Sequence, residues 1–257
     1  AIVAGGSSTT ASVCSAVLKS CDAIRARLVD AAIGASGGPL SGREAKDLTF
    51  ADGKIRSADG SEENIHDVFG RLGSGAIEEY AEFVPNGLKP DAVAKLYAGQ
   101  AALAGGSKGE KLMYAMGAEF VEVHIHAMTH ELRVPRIVGA FAAGHIMNTR
   151  TARSQLMGGM IWGISSALHE ATEIDRKRAR YINDNLADYL IPVNADVDAV
   201  EVILVSEEDT YVNPAGVKGL GELGNVGTAA AIANAVYHAT GVRLRQLPIR
   251  MENLLGA

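Results

Sequence analysis

The residues best placed to do chemistry are the nine in Gly216-Val217-Lys218-Gly219-Leu220-Gly221-Glu222-Leu223-Gly224, a glycine-rich turn that leads into a helical pattern over residues 225–240. Glycine lets backbone approach a ligand in conformations that other residues resist. The first turn of a helix leaves N–H groups free to hold an anion. A single carboxylate among those donors, Glu222, is either an acid–base group or an ordinary first-turn residue favoured by the helix dipole. The segment from Gly219 to Gly224 also spells GxGxxG. That fingerprint needs a strand before it and an acidic residue about 20 positions on. Here the preceding Asp209-Thr210-Tyr211-Val212-Asn213-Pro214-Ala215 is loop-like, and the next strand candidate, Val242-Arg243-Leu244-Arg245-Gln246-Leu247, is basic. A dinucleotide site is therefore disfavoured. The Walker pattern fails because neither Ser nor Thr follows Lys218.

A second anion-binding candidate lies at the other end of the chain. Gly5-Gly6-Ser7-Ser8-Thr9-Thr10 precedes a helical pattern over residues 12–32, so its backbone donors could serve a ligand. Ser and Thr are also ordinary N-caps, and taken alone the cluster reads as caps. Gln155 stands near the front of a long helical pattern over residues 150–172; locally it reads as a surface amide. Gly158-Gly159 in that helix costs about 1 kcal/mol per residue against Ala, a cost normally offset by close approach of another group. His124, His126 and His130 lack an identifiable further ligand, so a metal site there is disfavoured. His169-Glu170-Ala171-Thr172-Glu173 resembles HExxH but ends in Glu. Arg176-Lys177-Arg178-Ala179-Arg180 reads as the solvated tip of a connection.

The elements that must carry these residues are mixed. Val13, Ala16, Val17, Ile24 and Leu28 form a candidate buried stripe on the first helix. Asp52-Gly53 marks a hairpin between residues 48–51 and 54–57, and residues 64–72 read as a short helix. Residues 33–45 read as loop and 73–111 as a long surface excursion. Strands are expected at 120–126, 133–141 and 200–205. Without regular βαβ alternation, the expected fold class is α+β. The 257 residues suffice for one large domain or two small ones. A hydrophobic content of 47% with 21% charged residues describes a soluble globular chain, and the net charge of −6 argues against a nucleic-acid partner. Cys14 and Cys21, seven apart, read as core thiols on one helix face, and two cysteines cannot ligate an iron–sulfur cluster by themselves. No apolar run approaches a membrane span, and no basic-then-apolar leader directs export.

Taken together, several of these segments resemble the C-terminal part of the molybdopterin-binding large subunit of the xanthine dehydrogenase and aldehyde oxidase family, the molybdenum hydroxylases. The most specific stretch is Asn213-Pro214-Ala215-Gly216-Val217-Lys218-Gly219-Leu220-Gly221-Glu222, continuing through Ala229-Ala230-Ala231-Ile232-Ala233-Asn234-Ala235-Val236 to Leu247-Pro248-Ile249. Phe120-Val121-Glu122-Val123, Arg136-Ile137-Val138-Gly139-Ala140-Phe141, the segment from Gln155 to Trp162 and the Gly5–Thr10 loop support it. The likeness covers almost the whole chain, most convincingly from Glu119 onward, and only loosely at 33–115.

The resemblance implies an enzyme of molybdenum-cofactor chemistry that oxidises aldehydes or N-heterocycles at an electron-poor C–H, with oxygen derived from water and Glu222 as general base. It implies that Gly5, Gly6, Ser7, Ser8, Thr9, Thr10, Gln155, Lys218, Gly219, Leu220 and Gly221 hold the cofactor, either molybdopterin or its cytosine dinucleotide form, with no protein ligand to the metal. It implies that residues 1–257 form a C-terminal cofactor-binding region, with two lobes at 1–115 and 116–257, whose N-terminal counterpart is absent. Expected partners are the remainder of the molybdenum subunit, an iron–sulfur subunit, a flavin (FAD) subunit and a small aldehyde or heterocycle. The expected compartment is the cytoplasm, or the periplasm if a partner carries the export signal. The chain alone is expected to be inactive. The alternative is an orphan module that binds the cofactor or assists assembly without doing chemistry.

Overall fold

The computed structural model describes residues 5–73, 75–84, 91–100 and 112–255. Residues 1–4, and residues 74, 85–90 and 101–111 of the expected excursion, lie outside them. The first part of the chain runs α1 (Thr9–Ile33), the antiparallel strands β1 (Leu48–Ala51), β2 (Lys54–Ser57) and β3 (Glu62–Asn64), and the short helices α2 (Ile65–Arg71) and α3 (Ala92–Tyr97). Asp52 and Gly53 both take positive φ in the β1–β2 turn, as the Asp-Gly signal requires. Asn64 caps α2 by accepting from His66 N–H at 2.9 Å. Leu28, Ala32, Leu40, Ile55 and Val68 bury one hydrophobic cluster between α1, the small sheet and α2.

The second part holds β4 (Met116–Ile125), β5 (Leu132–Ala142), α4 (Thr149–Leu168), the two-residue strands β6 (Ile174–Asp175) and β7 (Arg180–Tyr181), β8 (Ala199–Leu204), α5 (Leu223–Val226) and α6 (Thr228–Thr240). β5 is central, antiparallel to β4 and parallel to β8, and α4 lies in the crossover between the parallel pair. The strands alternate as read: Val121, Val123 and Ile125 pack toward the core, while Phe120, Glu122 and His124 are exposed. Against the inner face lie α4 (Leu156, Met160, Ile164) and α6 (Ile232, Val236), all fully buried. The fold is α+β.

Three sequence expectations need correction. Val13 and Val17 are each 55% exposed, whereas Leu28 of the same stripe is buried with Ile24 packed beside its cluster, and α1 also buries Ser15, Val29 and Ala32. Ser15 donates to Asn213 Oδ1 at 3.3 Å, so a polar contact, not an apolar stripe, seats the front of this helix. Cys14 is half-buried and Cys21 exposed, both free, so neither is a core thiol. Residues 242–247 form no strand; after the left-handed Gly241 the chain runs as coil.

The glycines of α4 are offset by close packing, though not at both expected positions. A Cβ on Gly159 would lie 3.1 Å from the backbone of Gly224 and Asn225, and one on Gly163 would overlap the Thr228 side chain. Conversely, a Cβ on Gly224 would overlap the Leu156 carbonyl. Gly158 meets nothing within 4 Å. Gly163→Ala should therefore lower stability by about 2–3 kcal/mol through overpacking, whereas Gly158→Ala should raise it by up to about 1 kcal/mol from helix propensity. Urea denaturation of the two variants measures the contrast; equal effects would refute the packing assignment.

Candidate functional site

The two glycine-rich segments, over 200 residues apart in sequence, meet. Gly6 and Ser7 both adopt positive φ (62° and 56°), a conformation that a serine takes only at some cost. The kink brings Ser7 Oγ within 3.1 Å of the Gly221 N–H, from which it accepts a hydrogen bond. A Cβ on Gly219 would overlap the Gly6 carbonyl and one on Gly221 would overlap Ser7 Oγ, so only glycine permits this contact. From the third side, Gln155 on α4 donates its amide to the Gly221 carbonyl at 2.7 Å. Gln155 is thus exposed but not idle.

A cavity of about 370 Å³ opens at this junction, bordered by Ser7, Thr10, Asn148, Thr151, Gln155 and Gly221, with His145, Met147, Lys218 and Leu220. Two long helices start at it. Ser7 and Thr10 belong to the entry of α1, and Asn148 is the N-cap of α4, accepting from Thr151 N–H at 3.0 Å. Both helices therefore present the positive ends of their dipoles and their first-turn N–H groups here. Ser8 occupies the N-cap position of α1, yet its hydroxyl makes no capping bond. Its Oγ is buried without a hydrogen-bond partner among the described residues, which disfavours the simple capping reading. Another cavity, about 470 Å³, lies at the other end of α4, beside Leu168, His169 and Arg250. A helix C-terminus presents carbonyls rather than N–H groups, so it does not share this anion-favouring character.

Lys218 behaves differently from its glycine neighbours. Its side chain is 5% exposed, and its ammonium contacts Glu207 Oε1 at 2.6 Å and Asp209 Oδ2 at 2.9 Å. Glu207 Oε2 in turn accepts from Gly144 N–H at 2.7 Å. The ammonium charge is thus balanced inside the protein by the two carboxylates. The Asn213 side chain brackets the same loop, donating to Val217 O at 2.7 Å and accepting from Val217 N–H at 3.2 Å.

Glu222 is exposed and follows directly on Gly221. It is the N-cap residue of the one-turn helix α5, and its carboxylate makes no capping bond. The sequence reading did not single out His145, Asn148, Thr151, Glu207 or Asp209. Asn148 was findable as a capping residue ahead of a helical pattern; the acidic pair was not, because nothing local links it to Lys218. The GxGxxG segment is preceded by loop, with only an isolated bridge between Gly144 and Val217. Among the described residues no group of His, Cys, Asp or Glu is arranged to hold a metal ion. His126 instead accepts from the turn N–H groups of Met128 and Thr129, and His124 lies 3.0 Å from Glu122.

The Lys218 cluster carries a pH signature. The hydrogen bond from Lys218 holds both the Glu207 and the Asp209 carboxyls below their ordinary pKa. Burial opposes the Lys218 charge, but the two carboxylates outweigh it and raise its pKa. The cluster's stabilisation is therefore present at neutral pH. It is lost in acid as the pH falls through the lowered carboxylate values, and in strong alkali as the pH rises through the raised lysine value. Lys218→Met, which leaves two neighbouring carboxylates without their cation, should cost about 3 kcal/mol at pH 7. The deficit should shrink below the carboxylate range; a pH-independent deficit in urea denaturation would contradict the assignment.

Residues 1–198 match the molybdopterin cofactor-binding domain family. The chain is 46% identical over 136 residues to the aldehyde oxidoreductase molybdenum-binding subunit PaoC of Escherichia coli K12, a match covering 53% of this chain and 19% of that protein. It is 36% identical over 140 residues to the xanthine dehydrogenase molybdenum-binding subunit of Escherichia coli O157:H7, covering 54% and 18%. Its fold matches a crystal structure of the Cu,Mo-CO dehydrogenase in the carbon monoxide-reduced state with a TM-score of 0.68 at 16% identity, over 91% of this chain and 26% of that one. The chain thus spans less than a third of the length of each of these relatives. It belongs to the molybdopterin cofactor-binding domain family and is similar to the molybdenum-binding subunits of the aldehyde oxidoreductase and xanthine dehydrogenase type.

Proposed function

We propose that this chain forms one side of the catalytic site of a molybdenum-dependent oxidoreductase that hydroxylates aldehydes or N-heterocycles at an electron-poor C–H, with Glu222 as general base. The observation that carries this reading is the three-way junction at Gly221, where Ser7 and Gln155 grip the residue immediately before a carboxylate that no cap or ion pair employs among the described residues.

The donor set fits an anionic pterin group. The helix starts at Ser8 and Asn148 converge on one cavity, favouring phosphate or dithiolene charge. The Ser8 hydroxyl, buried and without a hydrogen-bond partner among the described residues, would be a further donor to such a group. In this reading the Gly5–Thr10 loop, Gln155 and the 218–221 backbone hold the cofactor, whether molybdopterin or its cytosine dinucleotide form. When bound, the group supplies the two-electron redox chemistry and the handling of water-derived oxygen. This chain supplies orientation through the grip on Gly221, and a proton acceptor at the Glu222 carboxylate. Glu222 is exposed here, so the remainder of the molybdenum subunit would have to exclude water from it. We further propose that iron–sulfur and flavin subunits remove the electrons, that the assembly works in the cytoplasm, and that the chain is inactive alone. No helix among the described residues is long and apolar enough to cross a membrane.

Two variants test the reading in the assembled enzyme. Glu222→Gln should retain molybdenum while turnover falls about 10²–10⁴-fold, the usual weight of a general base; near-normal turnover would refute the assigned role and favour a non-catalytic cofactor-binding module. Ser8→Ala removes an unsatisfied buried hydroxyl, so stability should hold or rise by about 1 kcal/mol. Its molybdenum content, measured by elemental analysis, should nevertheless fall; unchanged content would remove Ser8 from the cofactor site.

A further inference from the structure

Glu119 lies on the inner face of β4, partly buried, with no part in the cavity. Its Oε1 accepts from Gly227 N–H at 3.3 Å, and its Oε2 meets the hydroxyl of the fully buried Thr228. Gly227 is at once the C-cap of α5 and the N-cap of α6. Its N–H is therefore one of the groups a helix break leaves without a backbone partner. The single turn between Glu222 and Gly227 is thus tied down at its far end by a side chain from another element.

The hydrogen count at Thr228 decides the form of that tie. A threonine hydroxyl has one proton to give. Thr228 Oγ1 sits 3.0 Å from the Gly224 carbonyl, which can only accept, and also against Glu119 Oε2. An ionised Glu119 would leave two acceptors competing for one hydrogen. A protonated Glu119 resolves the conflict: the acid donates to Thr228 Oγ1, Thr228 donates to Gly224 O, and the other carboxyl oxygen accepts from Gly227 N–H. No ion pair to Glu119 exists among the described residues, its cross-strand partner is Gly139, and no charged side chain on β5, α4, α5 or α6 bears on it. Burial pushes its pKa above the ordinary carboxylate value, against the lowering effect of the bond from Gly227 N–H.

We infer that Glu119 is a positioning residue which, as a neutral carboxylic acid, latches the α5–α6 joint through Thr228 and Gly227 and so fixes the helical turn that begins at Glu222. The consequence for catalysis rests on the reading of Glu222 above; the latch itself does not. Because the folded state holds this proton more tightly than the unfolded chain, the latch is intact at low pH. It loosens as the pH rises through the raised Glu119 value.

The test is amide hydrogen exchange over residues 223–228 in the complete assembly, with kcat and KM measured alongside. Glu119→Ala should speed exchange there about tenfold, the effect of losing the tie to a helix joint, and lower kcat more than it changes KM. Glu119→Gln reproduces the neutral acid, with one oxygen to accept from Gly227 and an amide to donate to Thr228. It should restore protection and kcat, and make protection independent of pH. Thr228→Val, which removes the relay hydroxyl at constant shape, should loosen the same segment, and it decides the matter should the alanine variant fail to assemble. A glutamine variant as loose as the alanine one would overturn the neutral-acid assignment, and unchanged exchange in Glu119→Ala or Thr228→Val would overturn the latch. If Glu222→Gln proved active while exchange responded as expected, the latch would stand and the reading of Glu222 alone would fall.

Discussion

The close approach of backbone to backbone along one face of α4 is the constraint on which the rest of this structure depends. Leu156, Gly159 and Gly163 accept the segment from Gly224 to Thr228 at distances where a Cβ would overlap at Gly163 and Gly224 and be crowded at Gly159. Side-chain packing between helices normally holds axes 8–10 Å apart; here the glycines remove that spacer. The segment carrying Glu222 is therefore placed by main chain rather than by long, adjustable side chains. Interiors packed to this density transmit strain rather than absorb it. The same close fit fixes Thr228 where it can meet both Gly224 and Glu119.

A second approach of the same kind completes the site. Gly219 and Gly221 let the loop at residues 216–222 touch Gly6 and Ser7, while Lys218 is anchored by Glu207 and Asp209 beneath. The loop is thus secured on one side by a buried ion cluster and on the other by a serine in a costly backbone conformation. Such strain persists only where surrounding contacts over-determine it. Here those contacts are Ser7 to Gly221, Gln155 to Gly221 and Ser15 to Asn213. Two helix dipoles then converge on a cavity whose field favours an anion, and Glu222 follows directly on Gly221, one of its lining residues.

Much of the secondary structure was legible in the sequence because its signals are local. The alternation from Phe120 to Ile125, the Asp52-Gly53 turn, the short helix within residues 64–72 and the helical periods of α1, α4 and α6 each depend on residues a few positions apart. The failures share a cause too. Val13 and Val17 share a helical period with Ile24 and Leu28, which do pack inside, so the period marked a face without fixing how far along the helix that face is covered. Residues 242–247 have strand-like composition, yet no neighbouring strand offers them hydrogen bonds, and strand formation depends on such a neighbour.

The sequence by itself determined which segments could bend sharply, which could begin helices, and where a lone carboxylate followed a glycine turn, because these properties belong to individual residues and their immediate neighbours. The tertiary structure alone decided that Ser7 meets Gly221, that Lys218 turns inward to an acidic pair, that α4 contributes its N-terminus to the cavity, and that Glu119 reaches the α5–α6 joint. Each of those contacts joins residues that are distant in sequence or indifferent in type. Hydrogen bonding and electrostatics act over a few ångströms of space, and only the folded chain sets which groups share that space.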